Sequence, residues 1–208
     1  MSATEPTVQI VDDDRSFLVA TSRLLRASGF AVKTFSSAAD FLAQHDTDAP
    51  GCVLADLQMP GMSGLDLQSA IVRSRNPLPI LFLTGHGDIP SSVRAMRGGA
   101  VDFLEKRAPK EKLLDAVRRA LARDAHEREE RARRRELRAR FDALSERELE
   151  VLSHVVQGRL NKQIAADLGI HERTVKLHRT AITTKLGVQS VAELTRLTLE
   201  AGIFERCV

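Results

Sequence analysis

The sequence predicts an α/β fold in which a five-stranded, parallel, doubly wound sheet is followed by an all-α domain of four helices. Short β-branched runs alternate with amphipathic stretches through the first half of the 208 residues. No proline follows Pro109 and no glycine occurs between Gly99 and Gly158, so the middle of the chain favours a long helix. In the last third, single glycines separate short amphipathic segments, which is typical of a small helical domain.

Five strands and four helices are predicted in the first half. Runs rich in Val, Ile, Thr and Phe predict strands, and apolar residues spaced three or four apart predict helices. Because the two kinds of segment alternate, the strands are expected to be parallel and covered by helices on both faces. The predicted strands are 7–11, 31–35, 52–55, 80–84 and 101–104, and the predicted helices are 15–27, 37–45, 65–75 and 89–97.

A single exposed helix is predicted from about residue 110 to about residue 140. Its first turns carry an apolar stripe that would close the first domain, formed by Leu113, Leu114, Val117 and Leu121. The segment HEREERARRRELRAR that follows is almost entirely charged or alanine, so a helix there would face solvent. Pairs spaced four apart, such as Glu127 with Arg131, would stabilise it.

Four short helices are predicted in the last third, at 145–157, 161–168, 172–186 and 190–201. Ser145 and Glu148 form the Ser-x-x-Glu pattern of a capping box at the start of the first of these. Only the turn LGIH separates the second helix from the third, which is the spacing of a helix-turn-helix. His171 occupies the position where Ser, Thr or Asp would cap the third helix, so that helix is expected to begin less firmly than usual.

The composition excludes several protein classes. No segment approaches the ~20 apolar residues of a membrane span, and the first residues lack the regions of a signal peptide, so a soluble, cytoplasmic protein is expected. The two cysteines, Cys52 and Cys207, do not make a disulfide framework and have no Cys or His cluster around them. Residues 142–208 are neutral in total, so any affinity of that part for nucleic acid must come from the local placement of charge.

Three carboxylates follow predicted strands of the sheet. Asp12 and Asp13 come directly after VQIV, and Asp56 comes directly after CVLA. Because parallel strands bring their carboxyl ends together, these side chains are expected to crowd one small site, and their repulsion calls for a divalent cation. An oxygen-lined site that retains waters suits Mg²⁺.

A hydroxyl and an ammonium are predicted beside the same carboxylates. Thr84 ends the fourth strand, and Lys106 follows the fifth. Such groups can hold and neutralise the oxygens of a phosphoryl group during its transfer to a carboxylate nucleophile. Each residue taken alone is better explained as a helix cap or a surface charge, but their joint placement at strand ends favours a phosphoryl-transfer site.

These strand-end segments resemble the motifs of a known family. IVDDD, LADLQMPGMSG, TGHGD and FLEK are similar to the motifs of response-regulator receiver domains, and the resemblance covers residues 7–122. It implies a flavodoxin-like fold, Asp56 as the phosphoacceptor and Mg²⁺ as the cofactor. The resemblance also implies that the metal ligands are Asp12, Asp13, Asp56 and the backbone carbonyl of Gln58, that Thr84 and Lys106 contact the phosphoryl group, and that Thr84 and Phe103 carry the conformational signal.

One residue departs from the family pattern. Receiver domains usually have a proline after the lysine, joined by a cis peptide bond, whereas this chain has Arg107. A cis bond before a residue other than proline costs ~3 kcal/mol. The bond is therefore expected to be trans, and Lys106 is expected to approach the site from a different angle.

The last third carries a second resemblance. LSERE, NKQIA and TVKLHR are similar to the LuxR-type helix-turn-helix over residues 142–204, and with the receiver motifs they resemble the FixJ and StyR group of regulators. The third helix is basic, which suits a position in the major groove of DNA. From charge alone, a solvated or protein-binding helical bundle would fit equally well. The residues expected to contact DNA are Arg173, Thr174, Lys176, Leu177, Arg179, Thr180 and Lys185.

The combined interpretation is a phosphorylation-controlled transcription factor of a two-component system. Residues 1–122 would form the receiver, 123–141 a helical linker and 142–208 the DNA-binding domain. A sensor histidine kinase would phosphorylate Asp56, and the chain would then dimerise on promoter DNA, contact RNA polymerase and act as an activator.

Two other hypotheses remain open at this point. The chain could be an Mg²⁺-dependent enzyme with an aspartyl-phosphate intermediate, or its receiver could serve only for dimerisation, without phosphorylation. Against the enzyme hypothesis, Gln58, two residues after the nucleophile, cannot act as a general acid.

Overall fold

The computed structural model describes residues 5–85 and 89–204, so His86 of the TGHGD motif and Cys207 lie outside the described residues. The chain divides into two compact units, one ending at Glu127 and one beginning at Arg128. Each unit has its own hydrophobic core. The prediction of an α/β domain followed by an all-α domain is confirmed.

The first unit is built on one five-stranded sheet in which every neighbouring pair of strands is parallel. The strand order is β2-β1-β3-β4-β5, which is the flavodoxin-like order with its reversal point between β1 and β3. Ligands of such sheets bind at the carboxyl ends of the strands near this point. The strands are β1 Thr7–Val11, β2 Ala31–Phe35, β3 Gly51–Asp56, β4 Ile80–Thr84 and β5 Asp102–Glu105.

Four helices connect these strands, and their ends follow local capping chemistry. The Asp14 carboxylate caps α1 by accepting hydrogen bonds from the backbone of Ser16 and Phe17. Ser63 and Asp66 form a reciprocal capping box at the start of α3. The helices are α1 Arg15–Ala27, α2 Ala38–Gln44, α3 Gly64–Val72 and α4 Ile89–Arg97.

Alternate side chains of the central strands fill two cores, one on each face of the sheet. Val53 and Phe82 pack on the face covered by α2 and α3, whereas Leu54 and Leu81 pack on the face covered by α1 and the start of α5. This period-two division explains why β1, β3 and β4 are almost continuously apolar: a strand that is covered on both faces has no solvent side.

The predicted long helix is confirmed as α5, Lys110–Phe141, a continuous helix of 32 residues. Its first turns bury an apolar stripe in the first unit, formed by Leu113, Leu114, Ala116, Val117 and Ala120. From Ala122 to Arg140 most of its side chains are exposed, but Asp124 is buried. Its last residue, Phe141, belongs to the core of the second unit.

The second unit adds the four predicted helices around a core that includes Val151, Ile164, Ile182 and Leu194. The capping box of Ser145 and Glu148 is present as predicted. His171, at the start of the third of these helices, makes no side-chain capping hydrogen bond. This agrees with the prediction that His is a poorer cap than Ser, Thr or Asp. The helices are α6 Glu146–Val156, α7 Asn161–Leu168, α8 Glu172–Leu186 and α9 Val191–Ala201.

Within the described residues, none of the helices combines the length and the apolar character that crossing a bilayer requires.

Candidate functional site

The first candidate site is a cluster of three carboxylates at the reversal point of the sheet. Asp12 and Asp13 directly follow β1, and Asp56 is the last residue of β3. Val11 and Ala55 are register partners in the paired strands, so the residues that follow them emerge side by side. Carboxylate oxygens of the three residues lie within 4.8 Å of one another, as the strand-end positions predict.

Two of these carboxylates are buried and the third is exposed. Asp12 retains 1% of its surface and Asp56 retains 8%, whereas Asp13 faces solvent. Burial raises the pKa of Asp12 above its ordinary value, although hydrogen bonds from Lys106 and from the backbone of Asp14 oppose that rise. A buried carboxylate with a raised pKa gains strongly from a nearby cation, because the cation offsets the lost hydration of its charged form.

Lys106 supplies such a cation. Its ammonium Nζ lies 2.7 Å from Oδ2 of Asp12 and 2.9 Å from Oδ2 of Asp56, so it bridges the two buried carboxylates. Burial disfavours the charged form of the lysine, but the hydrogen bonds to both aspartates outweigh this effect, and the Lys106 pKa lies above its ordinary value. The side chain is therefore an ammonium at neutral pH.

The peptide bond that follows Lys106 is of the type predicted from Arg107. The described residues contain no cis peptide bond, so the bond between Lys106 and Arg107 is trans, as the residue type predicts. The backbone N–H of Lys106 donates to the carbonyl of Thr84 at 2.8 Å, which holds the end of β5 against the end of β4. The lysine reaches Asp56 without the proline.

Local hydrogen bonds fix the orientation of the carboxylates. Oδ1 of Asp12 accepts from the backbone N–H of Asp14 at 2.9 Å, and Oδ1 of Asp56 accepts from the backbone N–H of Gln58 at 3.3 Å. The second bond places the main chain of Gln58 beside the cluster. A Cβ at Gly64 would lie only 2.2 Å from the Asp56 carbonyl oxygen, so this position behind the site requires glycine.

The two remaining predicted residues lie on the neighbouring strands. Thr84 is the last residue of β4 and retains 2% of its surface. Phe103 lies on β5, partly buried, with its ring 6.3 Å from the ring of Phe82. The structure thus brings Thr84 to the same sheet edge as the carboxylates, whereas Phe103 packs in the core next to β4.

The donor set fits a small divalent cation. Three carboxylates whose oxygens converge within 4.8 Å are hard oxygen ligands, which Mg²⁺ prefers over the nitrogen and sulfur ligands that zinc sites use. Asp13 is exposed, so a bound cation could keep some of its waters, as Mg²⁺ usually does.

The second candidate site is the exposed face of α8. Arg173, Lys176, Leu177 and Thr180 are exposed and recur at intervals of three or four, so they share one face of the helix. Leu177 leaves 64% of its surface in solvent, so this face also carries an apolar side chain among the polar ones. The opposite face buries Val175, Ile182 and Leu186 in the core.

Three other predicted residues of α8 are less exposed or already paired. Thr174 and Arg179 are half-buried, and Nη1 of Arg179 donates to Oδ1 of Asn161 at 2.9 Å. Nζ of Lys185 lies 2.7 Å from Oε2 of Glu148, the capping-box glutamate of α6. Lys185 therefore joins two helices of its own domain through a partly buried ion pair.

Comparison with known families assigns both units. The model of the response regulator receiver domain matches residues 8–118, and that of the bacterial regulatory proteins of the luxR family matches residues 142–198. The chain belongs to the response-regulator family. It combines a receiver domain with a LuxR-type DNA-binding domain, and members with this arrangement are transcription factors of two-component systems, not enzymes.

Relatives of the response regulator match almost its whole length. The response regulator protein TmoT of Ectopseudomonas mendocina is 46% identical over 198 residues, which are 95% of this chain and 90% of TmoT. Response regulator StyR, whose structure has been solved, is 44% identical in sequence. The match covers 95% of this chain and 100% of the StyR chain, with a TM-score of 0.75. Full-length FixJ from B. japonicum is 35% identical, with coverages of 97% and 99% and a TM-score of 0.58.

Two features of this response regulator's sites were not predicted from its sequence. The Phe17 ring lies against the Lys106 ammonium, with 4.6 Å between Nζ and the ring centroid. A cavity beside α8 is lined by basic residues at the start of α7, including Arg159 and Lys162. The NKQIA motif marks that helix start, but the sequence alone does not indicate that Arg179 lines the same cavity.

Proposed function

We propose that this response regulator accepts a phosphoryl group on Asp56 and that phosphorylation controls the binding of residues 142–208 to promoter DNA. The observation that carries the proposal is the position of the Lys106 ammonium, 2.9 Å from the Asp56 carboxylate and 2.7 Å from Asp12. A nucleophilic carboxylate, a nearby cation and a second carboxylate in one pocket are groups that phosphoryl transfer to a protein side chain uses.

Asp56 is the nucleophile in this proposal. One of its carboxylate oxygens forms the new O–P bond while the P–N bond to a histidine of the sensor kinase breaks, and that histidine keeps the electron pair of the broken bond. Mg²⁺, held by Asp12, Asp13, Asp56 and the Gln58 carbonyl, would neutralise charge on the transferred group. Lys106 would contribute the second positive charge, and Thr84, the last residue of β4, would donate from its hydroxyl to a phosphoryl oxygen.

The conformational signal would pass through Thr84 and Phe103. Thr84 ends β4, and Phe103 lies on the neighbouring strand β5, so a shift of the threonine toward a phosphoryl oxygen changes the packing beside this ring. Buried groups of this kind switch between discrete arrangements because a packed core does not deform continuously.

The partner of α8 in this proposal is double-stranded promoter DNA. Arg173 and Lys176 can reach guanine edges or phosphates, Leu177 can contact a thymine methyl group, and Thr180 can donate to a base or a phosphate. Arg179 and Thr174 would support this face from its edge. Lys185 lies at the far end of the helix in an ion pair, so its contact would be to a phosphate.

Further proposals concern the organisation of the active protein. Residues 1–122 act as the receiver, 123–141 as a helical linker and 142–208 as the DNA-binding domain.

Phosphorylated chains form a homodimer on two half-sites, which is how most helix-turn-helix proteins match a palindromic site. The complex contacts RNA polymerase and activates transcription. Phosphorylation and DNA binding take place in the cytoplasm, where the promoter DNA and the kinase domain are both present.

Mass spectrometry of the intact protein tests the phosphoacceptor. After incubation with acetyl phosphate and Mg²⁺, the wild-type chain is expected to gain the mass of one phosphoryl group, and Asp56→Asn is expected to gain none. Omission of Mg²⁺ should suppress the gain. Equal incorporation by Asp56→Asn would place the phosphoacceptor elsewhere.

A further inference from the structure

An aromatic ring forms one wall of the site around Lys106. Nζ of Lys106 lies 4.6 Å from the centroid of the Phe17 ring, within the range of a cation–π contact. Phe17 is half-buried on α1, and the lysine side chain retains 18% of its exposure. Partial burial strengthens such a contact, because less water competes for the cation.

Phe17 is held in place from both sides. Its backbone N–H donates to the Asp14 carboxylate at 3.2 Å, and the backbone N–H of Asp14 donates in turn to Asp12 at 2.9 Å. Its ring also packs against the apolar core on the α1 face of the sheet. One short segment therefore fixes both the ring and the carboxylate that Lys106 bridges.

The ring contact differs from the other two contacts of the ammonium. The oxygens of Asp12 and Asp56 that bind Lys106 would also be needed by Mg²⁺ and by the phosphoryl group. The two ion pairs must therefore rearrange during transfer. The face of Phe17 has no such competitor. It can hold the ammonium before and after the transfer.

The loop after Lys106 adds a reason for such support. Arg107 is exposed and is joined by a trans bond, so the loop lacks the constraint that a proline ring imposes on its own φ and on the residue before it. The hydrogen bond from the Lys106 backbone to Thr84 fixes the start of the side chain only. A flexible stem of four carbons separates the Lys106 backbone from the ammonium.

We infer that Phe17 is a positioning residue for phosphoryl transfer, whose ring holds the Lys106 ammonium over the Asp56 carboxylate by a cation–π contact. The inference rests on the function proposed above for Asp56 and Lys106. It requires the π face of the side chain, not merely its bulk, and this requirement separates it from a packing role.

Three variants of the full chain test the inference by their rates of phosphorylation with acetyl phosphate and Mg²⁺. Phe17→Leu keeps apolar volume but removes the ring, and it should react roughly three- to tenfold more slowly. Phe17→Tyr keeps the π face and should retain the wild-type rate within about twofold. Val19→Ala, on the exposed side of the same helix, is the control and should behave as wild type.

An NMR measurement on the unphosphorylated protein gives a readout that does not depend on the reaction. The ring current of Phe17 should shift the ε-methylene protons of Lys106 upfield in wild type and in Phe17→Tyr. Phe17→Leu should return them to the values of an ordinary lysine. Because this measurement needs no phosphoryl transfer, it still tests the contact between the ring and the ammonium if wild type takes up no phosphate, a result that would overturn the proposed function but not the contact.

Three results would overturn the inference. A wild-type spectrum with no upfield shift would show that the ring and the ammonium are not in contact. A wild-type rate for Phe17→Leu would show that the contact does not assist transfer. Equal slowing in Phe17→Leu and Phe17→Tyr would assign Phe17 a packing role only.

Discussion

The Asp124 carboxylate accepts a hydrogen bond from the backbone N–H of Gly51 at 2.9 Å. Asp124 lies on α5 and retains 1% of its surface, and Gly51 is the first residue of β3, the strand that ends at Asp56. A Cβ at position 51 would lie 2.1 Å from the carbonyl oxygen of Thr7, so only glycine fits there. This bond fastens the long helix to the amino end of β3.

Asp124→Ala should lower the free energy of unfolding of the receiver by ~1–3 kcal/mol, because it leaves a buried backbone N–H without its acceptor. Urea unfolding followed by circular dichroism measures the change. Asp115→Ala, which removes an exposed carboxylate from the same helix, is the control and should change stability by less than ~0.5 kcal/mol. Equal losses in the two variants would show that the bond to Gly51 does not stabilise the fold.

Lys106→Ala should slow phosphoryl uptake from acetyl phosphate roughly 100-fold, because it removes the cation that contacts Asp56. Phosphorylation followed by mass spectrometry over time gives the rate. Lys110→Ala removes an exposed lysine four residues later and serves as the control. If both variants react at the wild-type rate, the ammonium seen beside Asp56 does not take part in the transfer.

Lys176→Ala should weaken specific DNA binding by ~1–3 kcal/mol if the side chain contacts a base, since it lies on the exposed face of α8. Fluorescence anisotropy with a DNA site selected from a random library, and with an unrelated duplex, separates two cases. A loss on the selected site alone indicates base contact, and an equal loss on both indicates phosphate contact. Arg196→Ala, at an exposed position of α9, is the control. Unchanged affinity for both duplexes would exclude Lys176 from the DNA interface.

The Glu148 carboxylate makes the stability of the DNA-binding domain depend on pH. The hydrogen bond from Lys185, together with that from the backbone of Ser145, holds the pKa of Glu148 below its ordinary value of 4.5. Its stabilising effect is therefore complete above that value and is lost as the pH falls through the lower pKa of the folded state.

Glu148→Gln should accordingly be less stable than wild type at pH 6, and the difference should shrink toward pH 3. Urea unfolding of the full chain at both pH values, followed by a spectroscopic probe placed in the second unit, provides the comparison. Glu146→Gln, at an exposed position in the same helix turn, should show a much smaller change with pH. A difference between wild type and Glu148→Gln that stays constant across this range would refute the assignment.

Most of the fold was predictable because it depends on local patterns. Runs rich in Val, Ile, Thr and Phe located all five strands, and the Ser-x-x-Glu pattern located the capping box of Ser145. The convergence of Asp12, Asp13 and Asp56 was also predictable, since parallel strands in this order must bring these ends together.

The contacts that escaped prediction join residues far apart in the chain through side chains with ordinary surface chemistry. Asp124 stands in a charged segment and gives no local sign that it is buried or that its partner is Gly51. Lys185 was predicted among the DNA contacts because its helix is basic, but its ion pair with Glu148 depends on how α6 packs against α8. The position of Phe17 beside Lys106 likewise requires α1 and β5 to be placed first.

The affinity of the full chain for its selected DNA site, measured before and after phosphorylation with acetyl phosphate and Mg²⁺, tests the central claim most directly. Phosphorylated wild type should bind about 5- to 150-fold more tightly than the unphosphorylated protein, which is the usual size of coupling between two sites. Asp56→Asn under the same treatment should show no gain. If wild type carries the phosphoryl group on Asp56 and still binds DNA with unchanged affinity, then phosphorylation does not control this DNA-binding domain.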